Sequence, residues 1–467
     1  MMLSSPFVAL LYACEQSGEE SMIKSGLKAQ AIALANGQVS ARKLVEDALE
    51  AASKGEGPVA YMKLHAERAR MEADVSDRLR KAGREVRPLG GIPISVKDLF
   101  DEEGHVTTAG SKALADAEPA QFDAPIVAKL RYAGLVILGR NVMTEFAYSG
   151  VGLNPHYGTP ASPWDRETRR IPGGSTSGGA VSVADGMAAA TIGTDTGGSC
   201  RIPAAFCGIV GFKPTIARID RSGCTPLAGS LDSIGPLANT VECCATLDDI
   251  MAGGAGAIPK VRPVAGLRIG VLRNYVLEDM DDTVVRTYGA ALTKLAEAGA
   301  HLEDIALEEI DELPGLNANG GFAAAESWAW HRSLIERKRD LYDPRVVGRI
   351  ERGAEIGAAD YIDLLEARTR IQDTTDAATA HFDAIVMPTV PIVAPKMSEL
   401  DDDADYARLN LLCLRNPSVG NFLNRPNISL PCHREGDAPV GLMLMGLRSH
   451  DRVLFDVAAG IEGVLRG

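Results

Sequence analysis

Short apolar runs alternate with longer stretches of helical periodicity along most of the chain. Leu27, Ala31 and Leu34 share one face of a first helix that Asn36-Gly37 ends. Ser40 caps a second, in which Leu44, Val45, Ala48, Leu49 and Ala52 recur at helical spacing. Tyr61 to Ala82 is rich in Arg and Glu, which predicts a polar, solvated helix. Leu89 to Phe100 reads as a strand, Ala124 to Gly134 as a helix and Leu135 to Gly139 as another strand. Met187 to Gly193 is a run of small and apolar residues that predicts a buried strand. Leu267 to Leu272 predicts a strand and Asp282 to Ala298 a helix. Residues 303–380 read as helical, with Phe322, Trp328, Trp330 and His331 expected to pack between helices rather than to meet a ligand. Ala384 to Pro388 and Pro439 to Gly446 are late strands. With no internal repeat, low-complexity tract or clear linker, the pattern predicts one contiguous α/β domain over residues 24–467 with a helical subregion.

Composition narrows the class. The 467 residues are 46% hydrophobic and 24% charged, ordinary for a soluble globular protein and enough for a large core. A net charge of −14 argues against a nucleic-acid surface. The eight cysteines include no C-x-x-C pair, so free thiols in a reducing, cytoplasmic setting are expected, and no zinc site. Residues 1–23 read as an N-terminal extension. Its apolar run Pro6 to Cys14 ends in a Leu11-Tyr12-Ala13-Cys14 box faintly like a lipoprotein cleavage site, but no Lys or Arg precedes it. Nowhere does an apolar run reach the ~20 residues of a membrane span.

The chemistry concentrates in residues 172–215, PGGSTSGGAVSVADGMAAATIGTDTGGSCRIPAAFCGIVGFKPT. Two Gly-Gly-Ser turns end at Ser175 and Ser199, and glycine pairs let backbone N–H groups approach a ligand closely. Upstream, Lys97 sits among Ile92, Ile94, Val96, Leu99 and Phe100, which implies burial, and a buried unpaired lysine sheds its proton and becomes a base. No G-x-S-x-G elbow centres on these serines, and neither a G-x-x-x-x-G-K-[ST] nor a G-x-G-x-x-G phosphate loop is present. Ser21-x-x-Lys24 and Ser40-x-x-Lys43 match an acyl-transfer pattern without its companion motifs.

This stretch resembles the amidase signature family of amide hydrolases. Pro172-Gly173-Gly174-Ser175, Gly193 to Ser199, Arg201-Ile202-Pro203-Ala204 and Gly211 to Thr215 carry the resemblance, together with Gly91-Ile92-Pro93-Ile94-Ser95-Val96-Lys97-Asp98. It extends from about Lys24 to the C-terminus and implies a single large domain with a central mixed sheet covered by helices. It also implies a Ser–Ser–Lys triad: Ser199 as nucleophile, Ser175 as bridge after a cis Gly174–Ser175 peptide, and Lys97 as neutral base. The backbone N–H groups of Thr196, Gly197, Gly198 and Ser199 would form the oxyanion hole, and Ser230, Asp232 and Gly235 would cover the site. Thr176 stands where many relatives carry serine and Ser177 where glycine is commoner, leaving Ser177 a weaker rival for the bridge. Thr176, His156 and Arg201 are candidate substrate contacts. A structural role is favoured for His156, and pairing with Asp195 for Arg201. The implied reaction is hydrolysis of a small linear amide without metal or cofactor, with residues 303–380 shaping the acyl pocket. A homodimer fits the family. The alternative is the glutaminase component of a tRNA-dependent amidotransferase, which works within a complex.

Overall fold

The structure, a computed structural model, describes residues 22–84 and 86–467. The expectations for Pro6 to Cys14 and for Ser21 lie outside the described residues. Eleven strands form one mixed sheet among them: β1 (Tyr61–Leu64), β2 (Pro93–Lys97), β3 (Val136–Asn141), β4 (Ala190–Asp195), β5 (Val210–Lys213), β6 (Ser233–Ala238), β7 (Arg268–Leu272), β8 (His301–Ile305), β9 (Ala384–Pro388), β10 (Asn427–Pro431) and β11 (Gly441–Met445). Their order across the sheet is β1-β3-β2-β4-β6-β5-β10-β11-β9-β7-β8. β2 runs parallel to β3 and β4, and β7 parallel to β8 and β9; the remaining pairs are antiparallel.

Helices cover both faces, and the alternation of side chains shows how. On β9 and β11, Ala384, Val386, Leu442 and Leu444 enter one hydrophobic cluster, while Ile385, Met387, Met443 and Met445 enter another. A strand buried on both sides needs apolar residues at every position, which is why these segments read as continuous runs. No helix among the described residues is long and apolar enough to cross a membrane.

The predicted elements are largely present. Helices Leu27–Ala35 and Ala41–Ala52 form, and Ser40 Oγ accepts the Lys43 N–H at 3.0 Å, so Ser40 is a helix cap. Residues 303–380 hold helices Gly321–Lys338, Pro344–Glu351 and Ala358–Thr379. Phe322 and His331 are buried and Trp328 packs against the core, but Trp330 is 41% exposed. Two stretches differ from expectation: residues 303–305, read as helical, end strand β8 and pair with β7, and Tyr61 to Ala82 is not a single helix. Its first four residues are edge strand β1, paired antiparallel with β3, and the helix is Ala66–Lys81. Pairing with a neighbour distant in sequence overrides the local polar pattern.

Candidate active site

Parallel pairing of β2 with β4 brings their C-terminal ends to the same edge of the sheet, the usual place for a site in such folds. Lys97 is the last residue of β2 and Asp195 the last of β4, so the loop 196–199 begins beside the lysine. The Lys97 side chain is fully buried, and its Nζ lies 2.7 Å from Ser175 Oγ and 3.0 Å from Thr194 Oγ1. Burial depresses its pKa to about 8, against the pull of Cys200, Cys224, Asp195 and Asp232.

Ser175 follows a cis peptide bond from Gly174. A side chain at Gly174 would place its Cβ 2.6 Å from the Gly152 nitrogen, so the turn admits only glycine. The Thr176 N–H donates to the Ser199 carbonyl at 3.3 Å, which joins the two serine turns directly. Ser177 instead opens helix Ser177–Ala184 and its hydroxyl faces the Val142 carbonyl at 3.4 Å, away from Lys97.

Asp195 fixes the second turn. Its carboxylate accepts the N–H groups of Gly198 (2.9 Å) and Cys200 (3.0 Å), which flank Ser199. It also accepts Arg201 Nε at 3.0 Å, Arg201 Nη2 at 2.8 Å and Asn421 Nδ2 at 2.8 Å. Burial works to raise the Asp195 pKa, but Arg201, Asn421 and Lys213 outweigh it and hold it well below the usual carboxylate range. Gly198 has φ +129°, and a Cβ there would lie 2.6 Å from Pro417 Cβ.

Several expectations change. The Gly198 N–H is occupied by Asp195 and is not available to an oxyanion; those of Thr196, Gly197 and Ser199 engage none of the described residues. Arg201 takes the role favoured for it, pairing with Asp195, and its Nε, Nη1 and Nη2 are taken up by Asp195, Pro417 and Asn421. Thr176 is fully buried against Gly179 and Gly193, inside the protein rather than facing a ligand. His156 Nε2 lies 2.9 Å from Glu145 Oε1, the structural role favoured for it. Asp232, expected as part of the cover, accepts the Thr196 hydroxyl at 2.5 Å and the N–H groups of Leu227 and Ala228, and burial raises its pKa. Thr194 was missed, although it lies inside the motif. Asn421 was missed as well, and nothing in the sequence links so distant a residue to Asp195.

The one cluster of metal-ligand type among the described residues is His65, Glu102 and His105. It suits a cation poorly. Arg131 already lies 2.6 Å from the Glu102 carboxylate, Arg68 and Arg140 lie 3.7 Å from it, and Lys63 Nζ is 3.0 Å from His105 Nδ1. At the serine turns, by contrast, a buried lysine of lowered pKa meets a hydroxyl beside unengaged N–H groups. Such a constellation can accept a proton and stabilise an oxyanion.

The sequence profile of the amidase family matches residues 43–455. The chain belongs to the amidase family. Among similar proteins, 2-amino-5-chloromuconic acid deaminase of Comamonas testosteroni is 34% identical over 413 residues, 87% of this chain and 88% of that protein. The glutamyl-tRNA(Gln) amidotransferase A chain of Cupriavidus necator is 34% identical over 472 residues, 90% of this chain and 93% of that one. The crystal structure of an amidase superposes with a TM-score of 0.85 at 29% identity, covering 94% of this chain and 99% of that chain. The sheet and helices are thus those of the amidase signature enzymes, hydrolases that act on C–N bonds.

Proposed function

We propose that this amidase cleaves the C–N bond of a small linear amide through an acyl-enzyme on Ser199. The buried Lys97 Nζ, 2.7 Å from Ser175 Oγ and of lowered pKa, carries this reading. Neutral Lys97 accepts the Ser175 proton while Ser175 accepts that of Ser199, whose Oγ bonds to the carbonyl carbon. The N–H groups of Thr196, Gly197 and Ser199 receive the oxyanion. Ser175 then delivers a proton to the leaving nitrogen, the C–N bond breaks, and ammonia or an amine departs. Water attacks the resulting ester through the same relay, releasing the carboxylate and restoring Ser199. The helices of residues 303–380 shape the acyl pocket.

Purified protein assayed for ammonia release over a panel of small amides tests this. Ser199→Ala and Lys97→Ala should both abolish activity while leaving the fold intact. Activity surviving in Ser199→Ala rejects the nucleophile. The Comamonas relative adds amino-substituted muconic acids to the panel. The similarity to the amidotransferase chain of Cupriavidus necator supports a second reading, a glutaminase working within a complex. A wild-type chain silent on every amide alone, yet releasing ammonia from glutamine once a partner is added, would favour that reading.

A further inference from the structure

The amine of Lys97 has two hydrogen-bond partners among the described residues, Ser175 Oγ at 2.7 Å and Thr194 Oγ1 at 3.0 Å. The proton relay through Ser175 uses only the first. Thr194 is buried, and its hydroxyl has no partner but Lys97 among the described residues. The sheet fixes the contact. β2 and β4 run parallel with Ser95 opposite Thr191 and Val96 opposite Ile192, so the two strands reach Lys97 and Thr194 side by side. Thr194 also pairs with Ile234 of β6, which holds its backbone from the other side. Other groups face Lys97 without bonding to it. The carboxyl of Asp195 is taken up by Arg201, that of Asp232 by Thr196 and that of Asp98 by Arg140. Burial pushes the Cys200 and Cys224 thiols up, so they stay uncharged. Helix Ser177–Ala184, packed on β2, has no charged side chain, and the core face of helix Ala41–Ala52 is apolar.

We propose that Thr194 is a positioning residue of this relay, whose hydroxyl accepts an N–H of Lys97 and holds the ammonium that forms when Lys97 takes the Ser175 proton. The inference rests on the proposed function. A neutral lysine has one lone pair and two N–H groups. The lone pair must point at Ser175 for the proton to cross, and an N–H turned to Thr194 sets it there. Once the proton has crossed, Nζ carries three N–H groups, Ser175 carries the proton of Ser199, and Ser199 Oγ is bonded to the carbonyl carbon. The new ammonium is fully buried and finds only two acceptors among the described residues. A hydrogen bond from a charged donor is roughly twice as strong as one from a neutral donor, so the Thr194 oxygen favours the charged form over the neutral one. It thereby offsets part of the cost of burying that charge. The β-branch of threonine restricts χ1, which keeps the oxygen aimed at the amine.

An NMR titration of the full chain, isotope-labelled at lysine Cε, tests the contact without any substrate. The Lys97 signal is identified by its loss in Lys97→Ala. Thr194→Val keeps the shape and the β-branch but removes the acceptor, and should move the Lys97 titration about one pH unit lower. Thr194→Ser keeps the oxygen and should titrate as the wild type does. On the amide that the wild type hydrolyses fastest, the limb of kcat/KM in Thr194→Val should move down with that titration. Its plateau should fall about 10-fold or more, and Thr194→Ser should recover both. A residue that merely filled the core would lower the plateau without moving the limb. Circular dichroism checks that both variants fold. A Lys97 titration unchanged by Thr194→Val, or moved as far by Thr194→Ser, overturns the inference. Activity surviving in Lys97→Ala instead rejects the relay itself, and with it the role of Thr194 in catalysis, whatever the titration shows.

Discussion

A lysine that works as a base must be uncharged when its substrate arrives. Burial lowers the pKa of Lys97 to about 8, so below that value its neutral fraction falls tenfold per pH unit and above it the fraction saturates. The kcat/KM profile should rise with pH on a single limb centred near 8 and then level off. Lys97→Arg, charged throughout, should lose about 10²–10⁴-fold in rate on the same assay. Asp195 makes a different demand. It is the buried partner of Arg201 and the acceptor for two N–H groups around Ser199. Asp195→Ala strands a buried guanidinium and should cost about 3–5 kcal/mol in chemical denaturation, besides loosening the turn. At this scale the sequence was informative where function rests on residue type in a local motif. Lys97 and Ser175, which lie 2.7 Å apart, and the Arg201–Asp195 pair could be named from it, while the catalytic roles of Lys97, Ser175 and Ser199 stand as proposed. It was silent on which N–H groups are already spoken for, because the Gly198 bond to Asp195 is a matter of how the loop folds back on the strand end.

Elements obey local chemistry when their ends are capped locally. Ser40→Ala removes the hydroxyl that holds the Lys43 N–H, and should lower stability by about 1 kcal/mol in denaturant titration while amide hydrolysis is unchanged. Gly198→Ala should have the opposite profile. Its Cβ would meet Pro417 and Ile202, and its φ of +129° disfavours any side chain, so the turn must shift. A loss of about 10²-fold or more in kcat is expected, read against a fold checked by circular dichroism. Strands β4, β7, β9 and β11 were legible because small and apolar residues fill most of their positions; β5, β6, β8 and β10, interrupted by Lys213, Ser233, Glu303 and Asn427, were not read as strands. Nor was β1. Four residues of mixed polarity carry no periodic signal, and only the β3 edge tells them to be extended.

Across the molecule, Glu145 joins parts that are far apart in sequence. Its carboxyl receives the Ser111 hydroxyl at 2.6 Å and the Asp343 N–H at 2.7 Å, and faces His156 Nε2 at 2.9 Å. Asp343 caps helix Pro344–Glu351, so this carboxyl ties the helical subregion to the loop after β3. Burial lifts its pKa to about 7, helped by the nearby charge of Asp343, while burial lowers that of His156. The folded state therefore holds a proton that the unfolded chain releases near pH 4.5. The stability Glu145 contributes is full below pH 4.5 and is lost as pH rises through 7. Relative to Glu145→Gln, the wild type should lose up to about 3 kcal/mol between pH 4.5 and 7.5, measured as denaturation midpoints across that range.

The place of β10 in the sheet bears on how the protein is made. It lies between β5 and β11, and so bridges the strands that carry Lys97 and Ser199 to those built from β7, β8 and β9. The ribosome delivers it after every other described strand but β11, just after Pro417 and Asn421, which buttress the nucleophile turn. A nascent polypeptide halted before Asn427 holds two half-sheets with apolar edges unpaired and open to other chains. Synthesis of β10 and β11 thus closes the sheet, and a message interrupted before them should yield an aggregation-prone fragment rather than a weakened enzyme.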